Sequence, residues 1–206
     1  MDQSLHVMSG KDGGALWTFS GMASFGTPAF GDVDGDRLPE CVVASRDGKV
    51  YAIHGVGGRL LWTDASRGVS GGPPPSFGDC DGDGVPDGVL SSVAEGVFVL
   101  SGSSGAVLWE QGETGSFLDS AAIGSLDGDD RPDIAGIEID NTVLALSGAD
   151  GHVLWRVQHP ERGHLAPALA DLNGDGTEDL VASFEGGEGR AQSGKDGRLL
   201  WSSRVH

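Results

Sequence analysis

Oxygen-bearing side chains recur in this 206-residue chain at a spacing suited to holding a hard cation. The run Asp79-Cys80-Asp81-Gly82-Asp83-Gly84-Val85-Pro86-Asp87 places carboxylates at its first, third, fifth and ninth positions, with glycines between them. Carboxylates at alternate positions converge on one ion when the backbone curls, and glycine permits the curl because it tolerates positive φ. The chemistry implied is calcium binding through oxygen ligands. A single copy also reads as a solvated acidic turn, since Asp and Gly are ordinary turn residues.

Repetition favours the metal. The same frame returns at Asp32, Asp34, Asp36 and Glu40, at Ser125, Asp127, Asp129 and Asp133, and at Asp171, Asn173, Asp175 and Asp179, with first positions separated by 47, 46 and 46 residues. A second motif keeps the same interval: a Gly-rich turn running into Leu-Trp and ending at Trp17, Trp62, Trp109, Trp155 and Trp201. Self-similarity at one fixed period marks a repeat architecture whose core is divided among stacked units. An EF-hand loop closes on a Glu that leads into a helix; here each loop closes at its ninth position and enters a Val/Leu-rich, strand-like run.

The elements that must position these loops can be read between them. After each loop come three strand candidates, in the first unit CVVAS, KVYAI and RLLWT, joined by turns rich in Gly, Asp and Ser. A short apolar stretch precedes each loop, so every unit holds four strands, whereas residues 4–20 hold only a hairpin, LHVM and ALWTF. Four-stranded units linked by antiparallel turns predict an all-β fold, a β-propeller of about four four-stranded antiparallel blades plus an N-terminal half-blade. The predicted organisation is a single β-propeller repeat domain over 1–206, with the half-blade at 4–20 and blades at about 24–63, 73–110, 118–157 and 164–206. The third strand of the last unit is the weak point, because Gln192 stands where Ile53, Leu100 and Leu146 stand elsewhere. Strand reversal puts the acidic loops and the Trp turns on one face, and the tryptophans are expected to fill space between adjacent sheets rather than stack on sugars.

The formal charge of -18 comes largely from the loops, which hold fourteen carboxylates at ligand positions. That sign argues against nucleic acid or an anionic membrane as partner. No apolar run reaches membrane-spanning length, and the first residues lack a basic-then-apolar signal pattern. Cys41 and Cys80 occupy repeat positions held elsewhere by small or apolar residues, so two packed free thiols are expected.

The loops, together with Phe25-Gly26-Thr27-Pro28-Ala29-Phe30-Gly31 and His164-Leu165-Ala166-Pro167-Ala168 ahead of two of them, resemble the FG-GAP repeats, integrin α-type and also called VCBS. The SGxxGxxLW turns are similar to the Trp-bearing repeats of PQQ-type propellers. The FG-GAP resemblance implies up to four Ca2+ ions, each held by side chains at loop positions one, three, five and nine and by a carbonyl at position seven, here Leu38, Val85, Arg131 and Thr177. Ser125, Asn173 and Glu40 depart from the all-Asp pattern, and the two neutral replacements imply weaker sites. Propellers of that family have more blades than this chain. A fragment, a closed four-bladed ring with a spare hairpin, and a homodimer that completes the propeller all fit.

The functional expectation is a calcium-stabilised extracellular binding or adhesion module without catalytic activity, because everything that repeats serves the scaffold or its metals. The setting is extracellular or periplasmic, where calcium is plentiful enough to fill sites of modest affinity. A protein or glycan ligand is expected on the face opposite the calcium loops, where loops differ between units: Met22, Phe25, Arg67, Glu95, Phe117, the Glu138-Ile139-Asp140-Asn141 turn and the 159–164 loop with Arg162. The alternatives are a carbohydrate-binding lectin, a polysaccharide lyase using Glu138, Asp140, Arg162 and His164, or a fragment of a PQQ-type dehydrogenase. His159 and His164 read as ordinary loop residues, with no third ligand at fixed spacing.

Overall fold

The computed structural model describes residues 4–23, 26–69, 72–93, 95–112 and 115–204, with backbone alone at 65–69. A hairpin comes first, β1 (Ser4–Met8) with β2 (Ala15–Ser20). Four sheets follow: β3 (Ala29–Gly31), β4 (Glu40–Ala44), β5 (Gly48–Ile53) and β6 (Leu60–Val69); β7 (Ser76–Gly78), β8 (Asp87–Ser92), β9 (Gly96–Leu100) and β10 (Val107–Gln111); β11 (Ala122–Gly124), β12 (Asp133–Ile137), β13 (Thr142–Leu146) and β14 (Val153–Gln158); β15 (Gly163–Ala170), β16 (Asp179–Phe184), β17 (Glu188–Gln192) and β18 (Leu199–Arg204). Within each sheet the strands lie in sequence order and every pair is antiparallel. This is the all-β architecture of a propeller of about four blades. The first blade's outer strand continues to Val69, past the boundary at 63 read from the sequence.

Every residue of β4, β8, β9, β12 and β13 is buried, because each of these inner strands is covered on both faces. Alternate side chains of a strand point to opposite faces, so one strand serves two interfaces. In β4, Cys41 and Val43 pack against the hairpin's Leu5, while Val42 and Ala44 meet Leu90, Phe98 and Leu100 of the second blade. The pattern repeats where Val89, Val97 and Val99 meet Ile134, Leu144 and Leu146, and where Ala135, Ile137 and Val143 meet Leu180, Ala182 and Phe184. Burying each large aliphatic or aromatic side chain contributes roughly 1.5–3 kcal/mol. The stacking of sheets on sheets therefore carries the core.

Gln192 does not break β17. It is buried, and its Nε2 donates to the Gly197 carbonyl at 3.2 Å, so the following turn supplies a partner that an apolar residue does not need. Cys41 and Cys80 are buried free thiols, as expected, and burial pushes them up to about 11 and about 12. Among the described residues no helix is long and apolar enough to cross a membrane.

Candidate functional site

Each acidic loop is curled by its own carboxylates. The first-position Asp accepts backbone N–H bonds, Asp32 from Gly35 and Arg37 at 2.8 Å each, Asp79 from Gly82 and Gly84 at 2.7 and 3.0 Å, and Asp171 from Gly174, Asp175 and Gly176 at 2.7, 3.2 and 3.1 Å. Position three then accepts from position five, and position five from position seven, as in Val85 N–H to Asp83 at 2.8 Å and Arg131 N–H to Asp129 at 2.7 Å. The chain can close this tightly because the fourth-position glycines Gly35, Gly82, Gly128 and Gly174 sit at φ of 79, 77, 83 and 77°.

The result brings oxygens together. Ligand atoms of Asp32, Asp34, Asp36 and Glu40, of Asp79, Asp81 and Asp87, and of Asp127, Asp129 and Asp133 lie within 4.8 Å of one another in each group. The fourth loop is different: Asn173 is neutral, and Lys195 Nζ lies 3.5 Å from Asp175 Oδ2. The position-seven residues span from loop to loop. Val85 packs over Gly35, Arg131 lies over Gly82 and donates to the Cys80 carbonyl at 2.6 Å, and Thr177 packs over Gly128. Leu38, at the first position of that series, is 45% exposed.

The ninth-position acids Glu40, Asp87, Asp133 and Asp179 are fully buried. Asp87 Oδ2 accepts from Cys80 and Asp81 N–H at 2.8 and 3.2 Å, and its Oδ1 accepts from Gly102 N–H at 3.0 Å. Asp133 does the same with Leu126, Asp127 and Gly148, and Asp179 with Leu172 and Gly194. Burial pushes Asp87 up to about 6 despite these donors, and raises Asp133 and Glu40 for the same reason. Asp175 moves the other way, to about 2, because the Thr177 hydroxyl and N–H bond its exposed carboxylate.

The same glycines complete a joint between blades. Trp17 Nε1 donates to the Gly55 carbonyl at 2.7 Å, Trp62 to Gly102 at 2.6 Å, Trp109 to Gly148 at 2.7 Å, and Trp155 to Gly194. A Cβ on Gly55, Gly102, Gly148 or Gly194 would overlap the carbonyl oxygen of Pro39, Pro86, Pro132 or Glu178. Three residues on, Gly58, Gly105, Gly151 and Gly197 lie directly beneath the Trp ring of the preceding blade. Acidic loop, glycine turn and neighbouring tryptophan are thus one construction. Sequence reasoning placed loop and turn on one face but missed their shared glycine, although the recurring Ser-Gly pair at 101–102, 147–148 and 193–194 signalled it.

On the opposite face several expected anchors are interior. Met22 and Phe117 are buried, Phe117 against Gly136, and so are Glu138 and His159. Glu138 accepts the Gly115 N–H and faces Arg156 at 3.6 Å; His159 stacks on Phe184 with ring centroids 3.7 Å apart. Phe25 and the Arg67 side chain lie outside the described residues, and Glu95 is half-buried. Asp140, Arg162 and His164 are exposed. Asp140, Thr142, Arg156 and Gln158 line a polar cleft of about 340 Å³, a lining that does not include Arg162 or His164.

A family model described as outer membrane protein assembly factor BamB matches residues 46–206, the stretch that contains all four joint glycines. The chain belongs to the BamB family. Among solved structures it is similar to BamB from Moraxella catarrhalis, 19% identical over 98% of this chain and 50% of that one with a TM-score of 0.62. It is also similar to Saccharomyces cerevisiae Sqt1, 16% identical over 100% and 57% with a TM-score of 0.71. The quinohemoprotein alcohol dehydrogenase from Comamonas testosteroni is 11% identical over 100% and 41%, with a TM-score of 0.68. Identities this low show a shared fold, and the chain spans about half the length of these proteins. No curated protein sequence matches it. The FG-GAP, VCBS and integrin-like expectation is corrected by the BamB family match. The physical reason is that the nine-residue loop is a local motif, whereas the Trp-glycine joint that holds blade to blade runs through the whole matched region.

Proposed function

We propose that this BamB-family chain is a non-catalytic binding module, with calcium in its acidic loops as a structural ion and a protein partner on the opposite face, working in a periplasmic or extracellular setting. The observation that supports this most is the division of labour between the two faces. The repeated polar groups are committed to curling loops and joining blades, while the polar cleft of Asp140, Thr142, Arg156 and Gln158 combines residues that are not found together in another blade: Asp140 recurs as Asp47 in the first, but Thr142, Arg156 and Gln158 have no counterpart of the same type. A surface of unrepeated charge on a rigid scaffold suits recognition of one partner. The BamB description names a protein-assembly factor, which favours a protein over a glycan ligand.

The test is site-specific photo-crosslinking from positions 140 and 156, with position 196 on the loop face as control. Discrete protein adducts from the first two, lost on Arg156→Glu, are expected. Adducts only from position 196, or a specific glycan bound at the cleft instead, would overturn the assignment of face or of partner class.

A further inference from the structure

The turn packed on the first loop carries a metal-binding side chain that the corresponding turns of the other three blades lack. At the position of Ser101, Ser147 and Ser193, the residue ahead of the joint glycine, the first blade carries His54. Its Nε2 lies 3.2 Å from Asp36 Oδ2 and 4.0 Å from Asp34 Oδ2, and ligand atoms of His54, Asp34 and Glu40 fall within 4.8 Å of one another. The imidazole therefore belongs to the same cluster as the carboxylates.

Glu40 supplies an independent indication. Its side chain is fully buried; Oε2 accepts from Val33 N–H at 3.1 Å, but Oε1 has no hydrogen-bond partner among the described residues. The Gly55 N–H lies near enough to favour the ionised carboxylate yet makes no bond of ordinary geometry to that oxygen. In the other three blades the corresponding oxygen is engaged by Gly102, Gly148 or Gly194. A buried carboxylate oxygen without a partner is costly, and a cation in the cluster is the ligand that would satisfy it.

We propose that the first loop is a separate site for a transition dication of the zinc class, with His54 Nε2, Asp34 and Glu40 as ligands and Asp36 beside them. An imidazole nitrogen combined with carboxylate oxygens suits such an ion, whereas calcium takes oxygens alone. His54 is already held for the task. Its Nδ1 is 3.0 Å from the Val56 carbonyl and 3.1 Å from the Val56 N, so the Val56 backbone fixes the ring in either tautomer, and the tautomer that donates to the carbonyl presents Nε2 as a ligand, the usual support of a metal-binding histidine. The proposal rests on reading the loops as cation sites, but not on which ion fills the other three.

Metal-stripped full-length chain is titrated with Zn2+ against a chromophoric chelator in the presence of excess Ca2+, and Co2+ is used for its visible spectrum. One tight zinc equivalent per chain is expected. His54→Ser, which restores the residue of the other turns, and His54→Gln, which keeps a hydrogen-bonding side chain, should each weaken it by about 100-fold or more, since loss of a mere supporting partner already costs 10–100-fold. Asp83→Ala in the second loop should leave it unchanged. Absence of tight zinc, equal affinity in the His54 variants, or displacement by calcium would overturn the proposal. One zinc without calcium uptake elsewhere would sink the calcium reading alone, and calcium in all four loops without zinc would sink this one alone.

Discussion

Gly102, Gly148 and Gly194 each satisfy three neighbours: the N–H bonds the ninth-position acid of its own blade, the carbonyl accepts the Trp N–H of the preceding blade, and the missing Cβ admits a carbonyl oxygen. Gly148→Ala pushes a methyl into the Pro132 carbonyl, with backbone on both sides of the clash and nothing free to rotate away. It should cost on the order of 1–3 kcal/mol. Gly112→Ala, where no atom of the described residues lies within 4 Å, should be near neutral, and thermal unfolding giving equal losses for the two would refute the joint. A pH effect also arises at single residues. Burial holds Asp87 at about 6, above its ordinary 3.8, so between those values the folded metal-free chain binds more protons than the unfolded one. Stability is then greatest at the acid end of that window and falls as pH rises through about 6. Melting temperature in EDTA should drop between pH 5 and 7, and a saturating cation, which favours the carboxylate, should flatten the profile.

At the scale of an element, the loops are similar in backbone but unequal in charge. The second combines Asp79, Asp81, Asp83 and Asp87, whereas the fourth has Asn173 and a competing ammonium, Lys195 Nζ at 3.5 Å from Asp175. An exposed pair of this kind is worth roughly 0.2–1 kcal/mol. Lys195→Ala should therefore strengthen calcium binding at the fourth loop by a factor of about 1.4–5, with the other loops unmoved in a calcium titration. Unchanged binding would mean that the fourth loop holds no ion or that Lys195 points away in solution.

At the scale of the molecule, blades joined through loops that crowd carboxylates should depend on cations. A ligand at about 100 times its Kd stabilises by about 2.7 kcal/mol per site, so EDTA should lower the melting temperature by about 5–10 °C or more. No shift, with no calcium in elemental analysis, would count decisively against the metal. Trp201 is 44% exposed, whereas Trp109 and Trp155 are 9% and 7% exposed beneath their neighbours' turns. The Ser9–Gly13 turn has the matching form, with Gly13 at a φ of 72° and open space over Gly10 and Gly13. A homodimer in which Trp201 docks on that turn should appear as a doubled mass in light scattering and revert to monomer in Trp201→Ala. A monomeric wild type at high concentration would exclude it.

The period near 46 residues, the strand count and the loop carboxylates were legible because they are local: a turn, its glycine and the side chains that curl it lie within nine residues of one another. Which face each loop occupies also followed, since antiparallel strands reverse at every turn. Blade-to-blade facing did not. The glycine that accepts the Trp109 N–H is 39 residues downstream, Glu138 and Phe117 are buried by contacts their own stretches do not reveal, and His54 meets Asp36 only because the β5–β6 turn folds over the β3–β4 loop. The acidic repeat by itself suggested the wrong family. Only the stacked sheets brought tryptophan, glycine and buried acid into one joint, because alternating side chains commit each inner strand to two neighbours at once.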